Sequence, residues 1–384
     1  MQTRRIVLAA VAVASLLVSG QAFAVDRQVT SPSVTVVASN LNNPRGLTWA
    51  RGHLYVAEAG RGGTDCPAGA MGPEGGPLCV GRTGALSVIR DGRAEHVLSD
   101  LFSQSDIPGG IAALGIAAVA ATKSGDLRVL FSESVAGFTA GLPENATLTD
   151  ANTEAAGSQL GMLKKVVGHD THLLASVGDA DYLWTALHRN LVPDQFPDSN
   201  PNAMAIVGDK TYVIDAGANT LVEVDRQGVV RERAFFPNPP AADAVPTCIA
   251  VGPDGNFYIG QLAPGAPLNT GNIYKYEPRS RSLHVWKTGF NVVDGCGFDK
   301  AGNFYAVEFQ ANGFNPGPTG NPAGDVIKIT PNGTRTVLGA GKLFFPQGFA
   351  TDEAGNIYVS NWSIMTGTPA GPGAPTGQVV RITQ

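Results

Sequence analysis

Five polar side chains, Glu58, Asp215, Gln261, Glu308 and Asn361, each close a short apolar run that carries a tyrosine. Asn202 and Asp294, together with Asn43 and Gln347, open the runs that precede them. Asn219 follows Asp215 in the tight segment Asp215-Ala216-Gly217-Ala218-Asn219-Thr220, which makes Asp215 the first choice among the acids. Carboxylates and amides converging on one point would suit Ca2+ or another divalent cation, which takes six to eight oxygen ligands. Such an ion would polarise an ester carbonyl. Without an ion, crowded carboxylates would hold one of their number protonated. The same groups would equally serve as strand caps bound to backbone and water. These alternatives stay open at the level of residue type. No nucleophile stands out: the six histidines are scattered, and no His-Glu-x-x-His, Gly-x-Ser-x-Gly or Walker-type segment occurs, so triad hydrolysis has no support and catalytic residues stay unassigned.

The elements that would position these residues repeat. Each unit reads as a short apolar strand, a Gly-containing turn, a second strand carrying the tyrosine, a loop, and a third strand beginning near a glycine. The turns Asp254-Gly255-Asn256, Ala301-Gly302-Asn303 and Ala354-Gly355-Asn356 have hairpin chemistry. Clear copies surround Tyr55, Tyr212, Tyr258, Tyr305 and Tyr358. A sixth, weaker copy has Gly115–Val119 as first strand, Leu127–Phe131 as second and Gly161–Val166 as third. A sheet with an apolar face toward each neighbour cannot bury both faces alone, so the units must close into a ring. The expectation is an all-β, six-bladed β-propeller occupying residues 25–384 as a single domain. Val34–Val37 precedes the first unit and would supply the outermost strand of the last blade, removing a free sheet edge. The tyrosines are expected to pack between blades. Every long insertion (59–82, 132–160, 262–270, 309–323, 362–376) follows a second strand, which places all of them on one face around the channel mouth. The longest, 132–160, reads as polar and partly mobile, and Asp179–Leu187 as a short helix with Asp181 near its start.

With 48 glycines and 26 prolines the chain cannot be rich in helix, and 43% hydrophobic residues argue against disorder. A net charge of −5 and the lack of any basic run longer than two leave a phosphate-binding surface little to rest on, so no nucleic acid partner is expected. Residues 1–24 read as a signal peptide: Arg4 and Arg5, the apolar stretch Ile6–Val18, and Ala22-Phe23-Ala24 as the cleavage site. The expected location is secreted or periplasmic, without membrane insertion, and the protein is expected to be a monomer. Four cysteines in an exported chain suggest Cys66–Cys79, inside one Gly/Pro-rich loop, and Cys248–Cys296, with two buried thiols as the alternative for the second pair.

Asn43-Pro44-Arg45-Gly46-Leu47, Tyr55-Val56-Ala57-Glu58-Ala59-Gly60-Arg61-Gly62-Gly63 and Cys79-Val80-Gly81-Arg82-Thr83-Gly84 resemble the ScyD/ScyE family of exported bacterial proteins, as do Asp198-Ser199-Asn200-Pro201, Asp215–Leu221 and Val245-Pro246-Thr247. More distantly the repeats resemble NHL-type propellers and the lactonase and strictosidine-synthase group. The resemblance covers the mature chain and implies a propeller fold, but carries over no catalytic residues. Ile107–Val119 departs from the family's proline-glycine blade start, and Cys248 and Cys296 stand where other residues are expected. Two functions follow as expectations. One is an exported propeller that binds a small ligand or a protein at its loop-rich face. The alternative is a metal-dependent hydrolase or lactonase with an acidic ring at the channel mouth.

Overall fold

Six antiparallel sheets follow one another along the chain, as the repeats require. The structure is a computed structural model that describes residues 28–29, 33–72, 75–106, 110–191, 197–238, 243–314, 321–368 and 374–383. The signal-peptide expectation, residues 1–24, lies outside the described residues. Two strands precede the blades, β1 (Gln28–Val29) and β2 (Ser33–Leu41). Blade one is β3 (Pro44–Ala50), β4 (His53–Glu58), β5 (Cys79–Arg90) and β6 (Arg93–Ser105). Blade two is β7 (Ile116–Ala121), β8 (Leu127–Phe131), β9 (Met162–Val167) and β10 (Asp170–Ser176). Blade three is β11 (Pro201–Val207), β12 (Lys210–Asp215), β13 (Thr220–Val224) and β14 (Val230–Phe235). Blade four is β15 (Pro246–Val251), β16 (Phe257–Gln261), β17 (Gly271–Glu277) and β18 (Ser282–Phe290). Blade five is β19 (Val293–Phe298), β20 (Phe304–Glu308), β21 (Ala323–Ile329) and β22 (Arg335–Phe344). Blade six is β23 (Phe349–Thr351), β24 (Ile357–Asn361) and β25 (Gly377–Thr383), completed by β2.

Second strands such as β16, β20 and β24 are buried at every position, because both of their faces meet a neighbouring blade. The core is accordingly divided into one apolar cluster per blade junction. Ile214 and Leu221 of blade three meet Ile249 and Phe257 of blade four, and Tyr305 and Val326 of blade five meet Val359 and Val380 of blade six. The ring closes as expected: β2 pairs antiparallel with β25, Val34 opposite Ile382 and Val36 opposite Val380. One pairing was not anticipated. β1 runs parallel to β22, giving blade five a fifth strand at Thr336 and Val337.

The recurrent tyrosine has two jobs. The Tyr305 ring stacks on Phe349 of the next blade at 5.2 Å, while its hydroxyl donates to Asp299 in the turn before β20 (2.8 Å). Tyr358 with Asp352 and Tyr258 with Asp254 repeat the hydroxyl bond. Both disulfides are present, Cys66–Cys79 within the blade-one loop and Cys248–Cys296 between the first strands of blades four and five.

The long insertion corrects the sequence expectation. Residues 132–160, expected as a loop, carry two helices, α1 (Val135–Gly141) and α2 (Asp150–Gln159). Ser134 caps α1, its Oγ accepting from Gly137 N at 2.9 Å. Phe138, Ala155, Ala156 and Leu160 pack with Ala70, Leu78, Val80 and Phe102 into a satellite core above blade one. The third helix, α3 (Val177–Leu187), begins two residues earlier than expected, which puts Asp181 in its second turn. Trp184 stacks on His188 at 4.3 Å and leans on Phe235 of blade three.

Candidate functional site

The residues singled out from the sequence share the loop-bearing face but do not form a ring of free oxygens. In four of the blades the polar residue ending the second strand takes a backbone N–H from the segment that leads into that blade's first strand. Asn42 N donates to Glu58 Oε2 (2.8 Å), Asn200 N to Asp215 Oδ1 (2.7 Å), Asn291 N to Glu308 Oε1 (2.9 Å) and Phe344 N to Asn361 Oδ1 (2.7 Å). Glu58 also accepts from Ser87 Oγ, and burial raises its pKa. Gln261 is buried, and its Oε1 meets no donor among the described residues. Asn219 ties down the connection to blade four, donating to Asn238 and Asp243 and accepting from Val245 N.

The first-strand residues do face the channel. A narrow cavity of about 90 Å³ is lined by all six first strands, including Asn202, Asp294 and Gln347. Here side chains stitch blade to blade. Asn202 Nδ2 donates to Thr247 O (2.7 Å), Gln347 Nε2 to Asp294 Oδ1 (3.4 Å), and Arg45 to Gln347 Oε1 (2.9 Å) and Ala113 O (2.7 Å). Burial pushes Asp294 up to about 6, against the opposing pull of the Arg45 charge and the Gln347 bond. This mouth offers one carboxylate and already holds a guanidinium. Among the described residues no group of three or more His, Cys, Asp or Glu side chains could hold a metal ion. The residues present therefore do not fit a hard cation that wants six to eight oxygens.

A second site lies on the same face, between the connections of blades one to four. It is a cleft of about 470 Å³ lined by Gln104, Leu114, Glu133, Phe138, Asp198 and Asp243 among others. Gln104 is 2% exposed, yet no described residue makes a hydrogen bond to its side-chain amide. An amide so buried ordinarily has a partner. Glu133 is held by backbone geometry: its φ of 66° is unusual for a side chain other than glycine. Its carbonyl lies so near Gly161 and Gly178 that a Cβ at either would sit 2.7 or 2.5 Å from it. Burial pushes the Glu133 carboxyl up to about 8, with the charges of Asp198 and Asp215 adding to the effect. Asp198 rises to about 6 for the same reasons, burial first, then Asp215 and Asp243. Beneath them Asp215, which also accepts from Ser199 Oγ (2.6 Å), faces Asp181 of α3. Burial and the Asp215 charge raise Asp181 well above the ordinary carboxylate range, and its Oδ2 accepts from Thr220 Oγ1 (2.9 Å).

Of the expected residues, then, Asp215 lies fully buried beneath this cleft, next to its lining residues Ala216 and Gly217, and Asn219 holds the lining residue Asp243. Glu58, Glu308 and Asn361 cap other blades, and Asp294 and Asn202 belong to the channel. Gln104, Glu133 and Asp198 as cleft residues were not singled out from sequence. The one signal in the sequence is Asp198-Ser199-Asn200, which follows the short helix at the edge of the loop-bearing face and also belongs to a family motif.

No protein-family model matches the chain, and no curated protein matches it. Solved structures do match in fold. A Bacteroides thetaiotaomicron protein of unknown function aligns with a TM-score of 0.54 at 10% identity, over 92% of this chain and 76% of that one. A gluconolactonase from Xanthomonas campestris aligns with a TM-score of 0.52 at 11% identity, over 93% and 92%. A calcium-binding protein, regucalcin, from Agrobacterium tumefaciens aligns with a TM-score of 0.50 at 13% identity, over 92% and 95%. At these identities the likeness is one of fold: this chain shares the six-bladed propeller with them.

Proposed function

We propose that the protein is an exported, monomeric propeller that binds a small ligand in the loop-face cleft between Gln104, Glu133 and Asp198. The observation that carries this reading is the cavity of about 470 Å³ itself, in which the buried Gln104, making no side-chain hydrogen bond to another described residue, meets Glu133 and Asp198. Cavities of about 300–1,000 Å³ with apolar walls and a few placed polar groups are what small-molecule sites look like. Membership of the ScyD/ScyE family is part of the proposal and rests on the motifs quoted above. Two disulfides are in keeping with an oxidising compartment.

Gly141 lines the cleft, and a Cβ there would meet nothing within 4 Å. Gly141→Trp should therefore fill the cleft without disturbing the fold. Compounds that raise the melting temperature of the wild type should lose that effect in this variant. Retention of the shift would place their site elsewhere and overturn the assignment.

A second reading, hydrolysis of an ester or lactone, is favoured by one observation: two carboxyls in the cleft titrate apart, Glu133 at about 8 and Asp198 at about 6. Such a pair can divide the roles of acid and base. The likeness in fold to a gluconolactonase makes lactones the first compounds to try. No step is assigned to a metal ion. Turnover of a lactone that disappears in Glu133→Gln would support this reading, and turnover that survives would sink it.

A further inference from the structure

We infer that the cleft takes a small organic cation, an apolar body bearing an ammonium or amidinium group. This rests on the cleft being the ligand site and adds the class of molecule that fits it. Glu133, Asp198 and Asp243 line the cavity, and none of its described lining residues is Lys, Arg or His. Asp215 lies close enough beneath to act on both Glu133 and Asp198. At pH 7 Glu133 keeps its proton while Asp198 is ionised, and with no basic group among the described lining residues the pocket is negative, its Coulomb interactions strengthened as the local dielectric falls. An anion would enter against that field. A neutral ligand would shut the carboxylates away from water without a counter-charge, which is costly. A bare metal ion lacks a ligand cluster among the described residues. Leu78, Leu114, Phe138 and Val245 supply apolar wall, so the cation must carry an apolar body, and the Gln104 amide offers one neutral hydrogen bond to orient it.

The charge argument has a thermodynamic signature. Burial keeps a proton on Glu133 up to about pH 8. A cation placed beside it would favour the ionised form and drive the proton off, so binding at pH 7 should release protons.

The test uses the full mature protein and three probes of one shape: phenethylammonium, 2-phenylethanol and phenylacetate. Calorimetry at pH 7 in two buffers of different ionisation enthalpy reads both affinity and proton release. The expected result is binding of phenethylammonium at least about tenfold tighter than that of the alcohol. Proton release should accompany it, Asp198→Asn should weaken it about tenfold or more, and Gly141→Trp should abolish it. Equal or tighter binding of the alcohol or the acid, still abolished by Gly141→Trp, would overturn the cation inference and leave the cleft as a ligand site. Binding of the ammonium that Gly141→Trp does not touch, or no binding of any probe at millimolar concentration, would overturn both.

Discussion

Glu133 keeps its proton to about pH 8 because burial strips its carboxylate of water and the charges of Asp198 and Asp215 repel it. In the unfolded chain the same group ionises near its ordinary value of 4.5. Between those two pH values the unfolded state releases a proton that the native state retains, so rising pH draws the equilibrium toward unfolding. The native state thus loses stability as pH climbs from about 4.5 to 8 and pays the full cost above 8. Glutamine has nearly the shape of the protonated acid and no proton to lose. Glu133→Gln should match the wild type near pH 4.5 and become more stable by about 2–4 kcal/mol at pH 8, the gap opening steadily between. Urea unfolding of both proteins across that range is the check, and a gap independent of pH would show that Glu133 ionises normally in the folded protein. Asp294 has the opposite kind of neighbour. Burial raises it only to about 6 because Arg45 and Gln347 favour its charge, and the bonds from Arg45 to Gln347 and from Gln347 to Asp294 join three first-strand segments.

At the scale of the element, the blade-one loop and the insertion with α1 and α2 act as one unit through their satellite core. Asp65 strengthens the union by accepting from Thr149 N and Asn152 Nδ2 at 2.8 Å each. The disulfide Cys66–Cys79 spans a sequence separation of 13 and ties the blade-one loop to the first residue of β5. Closing a loop of that size removes about 3 kcal/mol of unfolded-chain entropy. Replacing both cysteines by serine should therefore loosen this unit alone: amide exchange should quicken through 59–82 and α1 while second-strand amides such as those of β16 stay protected. Quickening across all six blades instead would mean that the cap and the ring unfold together. Legibility from sequence divides along the same boundary. Strand pairs, hairpin turns and tyrosines repeat, so the blades and the common face of their loops were readable from spacing. Capping by Glu58, Glu308 and Asn361 is one of the roles their residue types allow, but the crossover N–H groups that decide it have no sequence mark. Gln104, Glu133 and Asp198 stand on connections outside the repeat, where no period points to them. The helices in 132–160 escaped because Thr, Asn and Gly dilute their apolar residues, and only the loop of blade one gives those residues something to pack on.

For the whole molecule, stability depends on closure, since every blade buries its faces only against neighbours. The seal between blades six and one is made by β2, whose Ala38 and Leu41 pack with Leu47, Leu54 and Val56 of blade one and with Tyr358 and Val379 of blade six. Leu41 is 1% exposed, and Ile259 is fully buried at the junction of blades three and four. If the ring unfolds as one body, the position of a cavity around it should not matter. Leu41→Ala and Ile259→Ala should then each cost about 2–5 kcal/mol, and the loss should appear in one cooperative transition. If the last blade frays independently, Leu41→Ala will instead produce an early transition of small amplitude while the main one stays in place. Removing residues 28–41 tests the limit of the same idea. The β25 edge from Gly377 to Thr383 would lose its partner, an apolar junction would open to water, and an unpaired edge of that length invites pairing with another chain. The shortened protein should elute as oligomers or aggregate. A soluble monomer with an unchanged melting temperature would show that five blades and a remnant hold together without the seal, against the principle on which the fold was read.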